Sequence, residues 1–201
     1  RDTYVRYNAH MDTPVVDALD GALEVTAAAE LDTLTDRELD RELVALLRAR
    51  HRLDAEIARR SARWDARLVW IGDGSRSGAA RLCRDAKLAH PEAKRLLRRA
   101  RAASAMPVAS VAWARGDIGA DQIDLLAPAV GNGRHELFAR DEALLVEQCT
   151  ELSHRQAAKA VAYWVQRADA ELGNEGQPPS VDSVLTVRTL HDGGLTGRFV
   201  L

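Results

Sequence analysis

Cysteine is almost absent. The two in 201 residues, Cys83 and Cys149, stand 66 positions apart with no CxxC pairing, which argues against a disulfide framework and a zinc site of the usual spacing. Both read as small buried hydrophobes. No uncharged apolar run approaches the roughly 20 residues of a spanning helix; the longest stretch without a charge, Ala102 to Ala114, is interrupted by Ser104, Pro107 and Ser110. No membrane partner is expected. The segment from Arg1 to His10 lacks the apolar centre of a secretory signal, so the expected location is the cytoplasm. Catalytic signatures are missing too: there is no GxSxG elbow, no Walker loop, no GxGxxG after a strand and no HExxH. The histidines, at 10, 51, 90, 135, 154 and 191, are scattered singly and read as surface residues rather than ligands. No catalytic residue, metal ligand or cofactor is expected within the chain.

What is present is the balance of a globular protein, 46% hydrophobic and 29% charged, with room for one large domain or two small ones. The net charge of −2 conceals segregation. Residues 1–47 carry 4 basic and 11 acidic groups, 48–115 carry 17 and 6, and 116–201 carry 7 and 13, giving −7, +11 and −6. A basic middle between acidic ends suits a polyanion-binding surface confined to part of a fold, because phosphate neutralisation depends on local charge density. A long solvated helix of mixed charge is the alternative. Arginine supplies 25 of the 28 positive charges, which favours bidentate phosphate contacts.

Periodicity predicts helix nearly throughout, hence a mainly α fold, a multi-helix bundle. A first helix is expected over 15–30, with Pro14 in its first turn. Thr35-x-x-Glu38 is a capping-box pattern, so a second helix should begin at Asp36. Leu39, Leu43, Leu46, Arg50, Leu53, Ile57, Arg60 and Trp64 then lay one seam along about 30 residues, roughly 45 Å of helix. That seam should pack inside an all-α domain or, alternatively, mediate self-association. Gly72-Asp-Gly74 breaks the helix. A short third helix should run from about Ala79 to Lys87, a fourth from Pro91 to Ser104, a fifth from Pro107 to Gly116 and a sixth from Ala120 to Val130. Two more are expected over Arg134–Cys149 and Ser153–Leu172, the last with Val161, Trp164, Val165 and Ala168 inward. The expected domain layout is a helical domain over 1–172, a Gly- and Pro-rich linker over 173–182, and a β-hairpin over 183–201 that stops short of its natural partner.

Helices three and four, joined by a short turn, have the outline of a helix-turn-helix pair. In projection, Ala93, Leu96, Leu97, Ala100 and Ala103 cluster on one side of the fourth helix, and Lys94, Arg95, Arg98, Arg99 and Arg101 fall opposite. Arg81, Arg84 and Lys87 extend the stripe. Lys94, Arg95, Arg98, Arg99 and Arg101 are the expected phosphate contacts to double-stranded DNA, with Arg84 and Lys87 supporting them. Asn and Gln are missing from the helix, so binding should be directed to the backbone, and the stripe has no interleaved aromatics for single strands to stack on. His191-Asp-Gly-Gly-Leu-Thr196 invites comparison with an HNH nuclease centre but lacks the following Asn and His, and reads as a hairpin turn.

Residues 75–130 resemble the centre of the bacterial domain-of-unknown-function family number 222, the thirteen-E-twelve repeat family. The resemblance rests on Leu88-Ala-His-Pro-Glu-Ala93 before an Arg-rich helix, Ala105-Met-Pro107, Ala114-Arg-Gly-Asp-Ile-Gly-Ala120, and Asp192-Gly-Gly194 with Leu195 and Gly197. It implies a helical domain that precedes a C-terminal HNH endonuclease with a divalent metal. No HNH motif lies within these residues, so none of the family's catalytic positions transfers here. The expected role is non-catalytic: a DNA-contacting N-terminal part of an HNH-endonuclease-like protein.

Overall fold

The structure is a computed structural model that describes residues 14–173. Beyond them only the backbone course of Val184–Thr189 and Leu195–Val200 is described, as an antiparallel pair. The expected linker and the turn of the expected hairpin lie outside the described residues. The chain divides into two compact units between Leu46 and Leu47.

The first unit holds α1 (Pro14–Ala27), a 3-10 turn at Leu31–Thr33, and the start of α2 (Asp36–Ala66). The capping box expected at Thr35 is formed. The Thr35 amide donates to Glu38 Oε2 at 2.9 Å, and the Glu38 amide donates back to Thr35 Oγ1 at 3.4 Å. The Thr35 amide, and then the Thr35 hydroxyl donating to the same Oε2 at 2.7 Å, stabilise the ionised carboxylate and hold the Glu38 pKa below its ordinary value. None of the described residues of this unit is buried; Val15, Leu19, Leu23, Leu39, Leu43 and Leu46 are all exposed.

The second unit is built by the remainder of α2, α3 (Gly78–Asp85), α4 (His90–Ser104), α5 (Pro107–Arg115), α6 (Ala120–Val130), α7 (His135–Glu151) and α8 (His154–Glu171). Its core joins Met106, Trp113, Ile123, Leu126 and Phe138 to Leu145, Cys149, Ala157 and Val161. Trp164 meets Phe138 edge-on at 5.9 Å between ring centroids and donates its indole N–H to Asp141. A smaller cluster under α3 joins Ala79 to Ala93 and Leu97, so α4 reaches both cores. Of the two cysteines, Cys149 is buried as expected, whereas Cys83 is only half-buried.

In this unit α2 packs through its small residues. Ala55 and Ala58 are buried against the body, while Leu53 and Ile57 of the expected seam stay open to solvent. Earlier on the same helix, the loop after α5 approaches the α2 backbone directly. Gly116 takes φ +79°, and a Cβ there would lie 2.8 Å from the Arg48 carbonyl oxygen. Two polar side chains complete helix ends inside the core. Buried Glu142 of α7 accepts the Ala109 amide in the first turn of α5 at 2.9 Å. Arg134, 4% exposed before α7, donates to the carbonyls of Pro128 and Ala129 at the end of α6 and to Asp169 of α8.

Candidate nucleic-acid interface

The short α3 is capped by Ser77, whose hydroxyl accepts the Ala80 amide at 3.1 Å. The chain then turns through Lys87, which adopts φ +58°, and enters α4 with Pro91 in its first turn. The two helices and short turn expected from sequence are therefore in place, with Ala93, Leu97 and Ala100 buried under α4.

The expected stripe is only partly free. At about 100° per residue, Lys94, Arg95 and Arg98 occupy the outer face of α4, whereas Arg99 and Arg101 lie about 80° to either side of its middle. Those flanks border other helices, and carboxylates there capture both guanidinia. Arg99, expected to point outward, is instead buried at 9% exposure and donates to both oxygens of Asp124 on α6, at 3.0 and 2.5 Å. Arg101 donates twice to Asp65 of α2, at 2.8 and 2.6 Å, while keeping most of its own surface. Arg95 is bound by Glu92 one turn earlier on its own helix, which raises the guanidinium pKa. Lys94 and Arg98 have no carboxylate partner among the described residues.

The supporting cations on α3 are drawn into an ion-pair cluster with the 3-10 turn Val69–Asp73. Arg81 and Arg84 both pair with Asp73 and Asp85. Hydrogen bonds from Ser75 and then Arg84 hold the Asp73 carboxyl well below its ordinary range, and Asp85 and then Asp73 raise Arg84. Lys87 turns back, its ammonium donating to the Arg84 carbonyl at 2.9 Å. Of the seven expected contacts, Lys94 and Arg98 alone stand clear of both carboxylates and carbonyls among the described residues.

Other cations remain open in the last turn of α2 and just beyond it. Arg63 and Arg67 are exposed, with no carboxylate partner among the described residues, and they border a groove shared with Arg59 and Arg60. Sequence reading missed this row because it weighted the leucine seam of the same helix; the signal was arginine repeated every fourth residue. Among the described residues, no group of three or more His, Cys, Asp or Glu is placed to hold a metal ion, and no helix is long and apolar enough to cross a membrane. No family model, curated protein or solved structure matches the chain.

Proposed function

We propose that this chain is the non-catalytic, DNA-contacting helical part of an HNH-endonuclease-like protein. The kinship rests on the resemblance of residues 75–130. The contact with DNA rests on one observation, the presentation of Lys94 and Arg98 on the outer face of a helix whose inner face is buried. Together with the +11 charge of residues 48–115, this gives a surface that can neutralise phosphates without reading bases. Arg95 and Arg101, exposed but paired, can exchange their carboxylates for phosphates. Arg99 serves the fold. Fluorescence anisotropy with a labelled duplex at several salt concentrations tests the reading: K94Q/R98Q should weaken binding and lower the log–log salt slope by about 0.9 per lost contact. An affinity untouched by that pair of substitutions removes α4 as the contact.

A second reading, self-association through the long helix, is favoured by the exposure of Leu39, Leu43 and Leu46, at 45%, 55% and 47%. Leucines at heptad spacing left open to water are an interaction surface in search of cover.

A further inference from the structure

We propose that the C-terminal end of α2 carries a separate groove for the phosphodiester backbone of nucleic acid, formed by Arg59, Arg60, Arg63 and Arg67. The proposal rests on the DNA-contacting reading above. The groove encloses about 640 Å3 between these arginines, Trp64 and Ser104, and no Asp or Glu lines it. The groove between α7 and α8 is different, since Asp141 and Glu171 stand there beside Arg140 and Arg167.

Helical spacing makes the arrangement a row. Arg59, Arg63 and Arg67 are each four residues apart, and like charges at that spacing repel one another, so the row weakens the helix that carries it. The helix dipole favours a cation beside the last carbonyls of α2, at Arg63 and at Arg67 just past the helix, which only offsets their mutual repulsion, and it does not reach Arg59 and Arg60 further back. Glu56 is the compensating group, and it is shared: Arg59 donates to both of its oxygens, at 2.8 and 2.7 Å, and Arg60 also pairs with it. One carboxylate therefore faces two guanidinia, and Arg63 and Arg67 have none among the described residues.

A concave surface with low-dielectric walls concentrates this unbalanced charge, and guanidinium forks match phosphate oxygens in pairs. The length of the row selects the ligand. From Arg59 to Arg67, the residue that follows α2 and still donates its amide to the Arg63 carbonyl, the chain rises about 12 Å, more than one phosphate ion spans. A strand that repeats its phosphates can engage successive arginines.

The test uses the full chain, a fluorescein-labelled DNA duplex, and anisotropy across a salt series, with thermal melts alongside. R63Q/R67Q should lose affinity, lower the salt slope by about 1.8, and leave the melting temperature unchanged or raised. A purely structural role predicts a lowered melting temperature instead. R63K/R67K keeps the charge and should keep most of the slope, which guards against misfolding of the first variant. A slope unchanged in R63Q/R67Q but reduced in K94Q/R98Q overturns the groove and leaves the DNA-contacting reading standing. A wild-type chain that binds no duplex at low salt overturns both.

Discussion

Replacing Arg99 by alanine separates a structural arginine from a functional one. Its guanidinium makes two charge-assisted bonds to Asp124, with the two side chains 10% and 26% exposed. Breaking a fully buried pair costs about 3–5 kcal/mol. Asp124, however, keeps a quarter of its surface in water and can be partly rehydrated, so about 2–3 kcal/mol is expected for Arg99→Ala. Asp124→Ala should cost more, about 3–4 kcal/mol, because the cation it strands is the more deeply buried partner. Urea unfolding followed by circular dichroism measures both, and the double variant should be less destabilised than the sum of the two singles. In thermal melts the first loss corresponds to about 4–12 °C. Duplex affinity of Arg99→Ala, measured well below its melting point, should equal that of the wild type. A variant as stable as the wild type but deficient in DNA binding would refute the assignment.

Gly116→Ala should destabilise by about 2–4 kcal/mol, the left-handed φ costing about 1–2 and the 2.8 Å approach to the Arg48 carbonyl the rest. Gly74→Ala has the same φ of +79° with nothing within 4 Å of the new methyl, so its smaller loss calibrates the first term. Asp141 has its pKa lowered, first by Arg140 and then by Trp164, so the stability it contributes is complete above the ordinary Asp pKa of about 3.9 and disappears as pH falls through the depressed folded value. Asp141→Asn should flatten that acid limb of a stability–pH profile; an unaltered limb contradicts the linkage. Sedimentation of the wild type should show a dimer that Leu46→Glu dissociates if the leucines of α2 associate, and a monomer in both cases rejects that second reading.

Helix ends were legible because they are written in local chemistry. Thr35 with Glu38 placed the start of α2 at Asp36, Gly116 followed the end of α5, and Ser153 stood immediately before α8. The packing face of α2 was not legible. A hydrophobic pattern ranks leucine above alanine, yet it is Ala55 and Ala58 that lie buried, in the core cluster with Ala100, Ala109 and Trp113, while the larger Leu53 and Ile57 stay exposed. The fate of the basic stripe was hidden for another reason. Its captors, Asp65 and Asp124, lie 36 and 25 residues away from Arg101 and Arg99, and helical projection carries no information on what a neighbouring helix presents. Arg95 could have been caught from sequence alone, since Glu92 stands at the i−3 position of the same helix.

The guanidinium of Arg134 has a mechanical meaning for the last third of the described chain. Because it terminates α6, sits at the threshold of α7 and grips α8 through Asp169, none of those helices can unwind at that corner without stranding donors in a dry interior. Their slow amides should therefore exchange with deuterium at a common opening free energy, a single foldon tied at one knot.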